Sequence, residues 1–371
     1  MRVAVLLPCL AALLAACGPD REAGVVRQYA VNLRANYSSI VDLSVALQDS
    51  VDSFVATPSP QTHAEVKQAW LLAREAYGAS EVGRFYGGPI DAPEGRINAW
   101  PIDENFIDYS FNNPQAGIIN RPADVPRINA QVLALYNGRA GEENRALGWH
   151  AIEFLLWGQR TSQTTGPGER AYSDYLTAPN ADRRRTYLQT AAQLLVADLS
   201  QVAAEWDLDN AESYGAKFVV AAPKESLTKM MRGFANMAIS ELLFERMSDP
   251  YVTKDQKDEE SCFSENTYVD LVANAHSVED VYLGRFKDQS GPSISDLVRA
   301  KNQALDERMR QQLEAATAAT EAIPAPFDHS VLSPEGSVPR GKVKAAIDAW
   351  TLIHDTTIEV AKTLDVVINL Y

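Results

Sequence analysis

Apolar residues recur at three- and four-residue steps along nearly all of the chain. Leu188, Ala191, Ala192, Leu195, Leu199, Val202 and Trp206 trace one such stripe, and Val343, Ile347, Trp350, Ile353, Leu364 and Val367 trace another. This spacing marks helices that turn one face to a core. It predicts helices over residues 25–56, 62–82, 123–137, 142–157, 171–207, 223–248, 266–286, 294–322 and 340–369. Thr62-His63-Ala64-Glu65 reads as a capping box before the helix carrying Trp70, and Pro292-Ser293-Ile294-Ser295-Asp296 reads as another before Leu297. No alternating pattern of useful length suggests a strand, so the expected fold class is all-α.

Two long connections interrupt the helical pattern, from Gly87 to Pro122 and from Asp249 to Glu265. Both are rich in Pro, Gly, Asn and aromatic residues, and long loops of this kind tend to carry function. The first holds Gly87-Gly88-Pro89-Ile90-Asp91 and Trp100-Pro101-Ile102-Asp103-Glu104, a concentration of acids and aromatics.

The amino terminus changes the picture of where the chain works. MRVAVLLPCLAALLAACGPD has one basic residue, an apolar run from Val3 to Leu14, and then Leu14-Ala15-Ala16-Cys17. That is a secretory signal over residues 1–16 rather than a membrane span. Its ending resembles a bacterial lipobox, which would make Cys17 a lipid anchor at the membrane. Gly18 follows without an aspartate, favouring delivery to the outer membrane, facing the periplasm. With Cys9 in the signal, Cys262 is the one thiol left besides the anchor, so no intrachain disulfide is expected. The formal charge of −15 argues against a nucleic-acid partner and suits a surface that attracts cations.

A repeat appears within the helices. His150-Ala151-Ile152-Glu153 with Gly158 matches His276-Ser277-Val278-Glu279 with Gly284, and Ala69-Trp70-Leu71-Leu72 weakly echoes Ala349-Trp350-Thr351-Leu352. The two echoes differ in offset, which fits related helical bundles better than a simple tandem duplication. We expect an N-terminal bundle over 17–215 and a C-terminal bundle over 216–371.

The candidate chemistry sits in the stretch GWHAIEFLLWG, residues 148–158. His150 and Glu153 are three apart and so share a helical face, surrounded by Trp149, Ile152, Leu155, Leu156 and Trp157. A buried carboxylate there needs a partner, either a core hydrogen bond or a metal ion. Imidazole with carboxylate suits iron or zinc rather than copper(I). Further ligands would come from Glu81, at the end of its helix, and from the acidic loop containing Asp91 and Asp103. Glu75 beside Arg74 reads as part of a salt-bridged face, and His276 with Glu279 as an exposed structural pair. HExxH, GxSxG and P-loop patterns are absent, and Cys262 with His276 offers only a weak nucleophile and base.

GWHAIEFLLWG resembles the GxHxxE signature of the imelysin-like family of bacterial envelope proteins, which are often linked to iron regulation and were once described as peptidases. Arg74-Glu75-x-Tyr77, Arg84-Phe85-Tyr86, Gly88-Pro89-Ile90-Asp91, Asn98-Ala99-Trp100-Pro101-Ile102-Asp103-Glu104, Ser261-Cys262-Phe263-Ser264-Glu265-Asn266-Thr267 and Gly291-Pro292-Ser293 extend the similarity over most of the chain. The resemblance implies two helical bundles related by pseudo-symmetry, with a cleft between them near His150. It implies a metal-binding HxxE at His150 and Glu153, with Glu81 as the acidic partner. The sequence departs from such relatives at Gly78, where they can carry a further glutamate.

The expectation is therefore a lipid-anchored envelope protein that binds iron or another metal, free or chelated, during iron acquisition. Its metal residues would be His150, Glu153, Glu81 and Asp103, its anchor Cys17, and its cleft would include Arg84, Asp91 and Trp100. An envelope uptake receptor would be its protein partner. The alternatives are a metal-dependent peptidase, or a module that binds a peptide or receptor and uses the His–Glu pair only structurally.

Overall fold

Three long helices and one short buried helix build the first half of the computed structural model, which describes residues 19–160 and 166–370. They are α1 (Pro19–Ala56), α2 (Pro60–Gly78), α3 (Trp149–Trp157) and α4 (Ala181–Glu205). The signal segment and Cys17 lie outside the described residues. α1 packs along both α2 and α4, and α3 is held between α2 and α4. The second half is built from α5 (Pro223–Ala235), a π-helical continuation over Asn236–Ser248, α6 (Thr267–Leu283), α7 (Ile294–Lys301), α8 (Gln303–Glu321) and α9 (Val338–Leu364). Here α8 packs on α6, α7 and α9, while the π-segment packs on α6 and α9.

This is an all-α fold of two helical bundles. A two-residue hairpin pairing Arg285–Phe286 with Gln289–Ser290 makes up the strands among the described residues. Trp70, Trp149, Trp206 and Trp350 are fully buried, each removing a large apolar surface from water. No described helix is long and apolar enough to cross a membrane.

Several helix boundaries moved from their expected places for local reasons. The expected helix over 294–322 is two helices, because Asn302 is extended (φ −153°, ψ 91°) and caps α8 by accepting from Leu305 N at 3.2 Å. α2 starts earlier than expected: its capping box is Ser59 with Thr62, followed by Pro60. The Ser293–Asp296 box stands as expected. α4 begins only at Ala181, after Asn180 in the left-handed region, and the helix expected from 123 is confined to Ala130–Tyr136, capped by Asn129.

The two halves meet where α2 crosses α6 and α1 crosses α5. At the first crossing a Cβ on Gly78 would lie 2.9 Å from that of Ala273. A side chain at residue 78 would push the helices apart, so glycine here permits a close crossing.

Candidate functional site

α3 is short, wholly buried, and bounded by glycines at both ends, with φ 91° at Gly148 and 76° at Gly158. A Cβ on Gly148 would lie 2.5 Å from the carbonyl oxygen of Ile97. Glycine therefore allows α3 to begin directly against the end of the short helix Glu94–Ile97 in the long loop. The His150 imidazole is 1% exposed and Glu153 is fully buried.

His150 Nδ1 donates to Glu153 Oε2 at 2.9 Å. The other Glu153 oxygen accepts from the backbone N–H of Ser264 at 2.8 Å and from its hydroxyl at 2.7 Å. Glu153 thus fixes the ring, and Nε2 is left facing Glu260 Oε1 at 3.7 Å, buried and without a hydrogen-bond partner. Carboxylate on one ring nitrogen and an open second nitrogen is the arrangement by which proteins orient a ligating or proton-carrying histidine. Burial opposes charge on this ring, but the bond to Glu153 and the nearby Glu260 carboxylate outweigh it and raise its pKa above the ordinary imidazole value. Trp100 covers the imidazole, ring centroids 4.8 Å apart, and donates its indole N–H to Lys257 O at 2.9 Å.

Behind this pair lies a buried ionic network at the seam between the bundles. Arg74 of α2 contacts Glu260 at 2.9 Å and Asp270 of α6 at 3.1 Å, and also bonds Asn98. Arg246 contacts both oxygens of Glu81 at 2.8 Å, Glu260 at 2.9 Å and Glu241 at 3.0 Å. Glu241 and Arg246 are five apart, and the π-helical spacing brings them to one side where an α-helix would not. Asn98 donates to Glu81 at 3.2 Å and Glu260 at 3.0 Å, and Asn274 donates to Glu81 at 2.9 Å. Burial disfavours charge on Glu260, yet Arg246 and Arg74 overcome it and hold this carboxyl well below the usual range. For Asp270 burial dominates and pushes it up to about 6.

A cleft of about 380 Å³ opens onto the network, lined by Arg84, Glu94, Asn98, Trp100, Arg145, Glu241, Glu245, Arg246, Asp249, Lys257, Asp258 and Glu260. Carboxylates outnumber cationic side chains along it, so it suits a cation.

The residues singled out in the sequence separate into groups. His150 and Glu153 are bonded, and Glu81 joins them only through Asn98, Arg246 and Glu260, since Arg246 and Arg84 already hold it. Asp103 caps a short helix by accepting from Asn105 N at 3.0 Å and is not among the residues bonded to His150. Arg84 and Trp100 line the cleft. Asp91 accepts from the N–H groups of Phe85, Tyr86 and Gly88 at 2.9–3.1 Å, and so shapes the turn that carries Arg84.

Arg74 turns inward to Asp270 and Glu260, leaving Glu75 exposed, which corrects the salt-bridged face expected for that pair. His276 and Glu279 do not pair with each other: His276 bonds Glu321 at 2.9 Å and Glu279 contacts Arg285 at 3.2 Å. Cys262 is buried, which raises its thiol pKa. Glu260 and Arg246 were not singled out in the sequence, although Glu260 lies in the flagged 249–265 loop; Asn98 and Ser264 appeared only within the motifs shared with the family, with no role assigned to them.

The family model described as imelysin matches residues 33–355. Iron-regulated protein A of Synechococcus elongatus is 24% identical over 376 aligned residues, spanning 96% of this chain and 91% of its own. Among solved structures, one described as an iron-regulated protein A precursor from Parabacteroides distasonis superposes with a TM-score of 0.75 at 19% identity, covering 94% of this chain and 96% of its own. An imelysin-like protein from Psychrobacter arcticum 273-4 gives 0.64 at 13% identity, covering 94% and 97%. At such identities these two structures establish a shared fold.

Proposed function

The chain belongs to the imelysin family, and from that premise we propose an iron-related protein of the bacterial envelope that binds a metal ion at His150 as cargo in iron acquisition. The observation that carries this reading is the buried, unpartnered Nε2 of His150, 3.7 Å from a Glu260 oxygen and held in place from behind by Glu153. Nε2 is the ligating atom, Glu260 supplies the first carboxylate, and Glu153 positions the ring. Glu81 joins the coordination shell only when it leaves Arg246 and Arg84. The name of the Synechococcus relative, iron-regulated protein A, supports a link to iron, and nitrogen with carboxylate oxygen suits iron or zinc. The carboxylate excess along the cleft favours a bare cation over an anionic chelate. The chain is held at the outer membrane by lipid on Cys17, where an uptake receptor is its partner.

Elemental analysis of the chain purified without an affinity metal, beside His150→Ala, tests the site. Near-stoichiometric iron or zinc that disappears in the folded variant is expected, and equal metal in both rejects the assignment. Cys17→Ser should move the protein from the membrane to the soluble fraction; a variant that stays with the membrane rejects the anchor.

A further inference from the structure

The loop that serves His150 also serves a second cluster. Glu260 and Ser264 turn toward α3, whereas their neighbours Glu259 and Glu265 face Asp328 and Arg160. Left-handed backbone at Ser261 (φ 57°) and Glu265 (φ 60°) makes the reversal between them, a conformation that costs non-glycine residues energy and tends to persist where function needs it.

One oxygen or nitrogen from each of Glu265, Asp328 and His329 lies within 4.8 Å of the others. Arg160 binds Glu265 at 2.5 Å and Asp328 Oδ2 at 2.6 Å, fixing both carboxylates through one oxygen each. The remaining atoms are unused: Asp328, 2% exposed, has a buried Oδ1 without a hydrogen-bond partner, and so does His329 at Nε2. Glu259, 3% exposed, donates its backbone N–H to Gln256 O at 3.1 Å, while its carboxyl has no hydrogen bond or ion pair among the described residues. Buried polar atoms without partners are rare and costly, and a single guanidinium does not balance these carboxylates.

We propose that Glu265, Asp328 and His329 form a second cation site, separate from His150, that takes a divalent transition ion of the zinc type through two carboxylate oxygens and one imidazole nitrogen. Two oxygens and a nitrogen are a donor set that zinc accepts, leaving a position for water. Arg160 acts behind the ligands, as hydrogen-bonded neighbours do in metal centres.

The test is equilibrium dialysis of the metal-stripped full chain in detergent against zinc, with His329→Ala, Asp328→Asn and His150→Ala alongside. His329 is only partly buried, and Asn keeps an acceptor for Arg160, so the two variants protect each other against failure to fold. The expected result is about one equivalent of zinc lost, or bound at least about tenfold more weakly, in His329→Ala and Asp328→Asn but retained in His150→Ala. Folded His329→Ala that binds zinc as fully and tightly as the wild type overturns the site. So does a wild type whose bound zinc all disappears with His150→Ala. Failure of the His150 assignment would show separately, as unchanged binding in His150→Ala.

Discussion

Glu259 and Glu260 leave the same loop in opposite directions, Glu260 onto Arg74 and Arg246 at 2.9 Å each and Glu259 toward Asp328 and Glu265. Adjacent glutamates thus meet opposite electrostatic surroundings. Burial, then the Asp328 charge, pushes Glu259 up to about 9 from an ordinary 4.5. The folded chain therefore keeps a proton that the unfolded chain releases above about pH 4.5, and stability falls as pH rises from there toward about 9. Glu259→Gln removes this cost and should stabilise the metal-free protein by about 2 kcal/mol near pH 7. Urea midpoints in the presence of chelator should show a larger gain at pH 8 than at pH 5; equal gains at both would count against the assignment.

Arg246 neutralises Glu81 and Glu260 together in the seam between the bundles. Arg246→Ala leaves both buried and undercompensated, and should destabilise the fold by about 3–5 kcal/mol. Arg246→Lys keeps the charge but cannot reach both oxygens of Glu81 with a planar fork, so an intermediate loss is expected in denaturant unfolding. A near-neutral Arg246→Ala would contradict the network.

His150 changes stability with pH in the same direction as Glu259, but as a gain present at low pH rather than a cost imposed at high pH. Its folded pKa is raised, so its contribution to stability is complete below about pH 6.5 and is lost as pH rises through the folded value. His150→Gln should flatten this part of the stability profile. The same proton competes with a metal at Nε2, so metal affinity in the wild type should strengthen with rising pH over that interval, as read by dialysis at fixed ionic strength.

Gly148 is the glycine of the GxHxxE motif, and its role is steric. Gly148→Ala forces a Cβ onto the Ile97 carbonyl and strains a backbone at φ 91°, which should cost about 2 kcal/mol or more. Because α3 must move to relieve the contact, metal bound at His150 should fall as well. A variant with full stability and full metal content would refute the argument.

The helical class was legible because every long helix carries an apolar face at regular steps, as in α4 and α9. So was the His150–Glu153 pair, since three-residue spacing is local. The rest of the site was not, because it depends on contacts between distant segments. Arg74 looked like the partner of its neighbour Glu75 until the crossing of α2 and α6 supplied Asp270. Arg246 and Glu241 sit at a spacing that an α-helix separates, so only knowledge of the π-segment brings them together. Asp103, acidic and close in sequence to Trp100, drew attention by composition but serves as a helix cap.

α1 runs 38 residues, about 57 Å, and packs against α2, α4, α5 and α7. It precedes every other described helix in the sequence, while most of its partners lie between residues 181 and 301. For much of synthesis its apolar stripe has only α2 to cover it. Nascent chains ending before α5 therefore leave much of this apolar stripe open to water and to wrong association until the later half arrives.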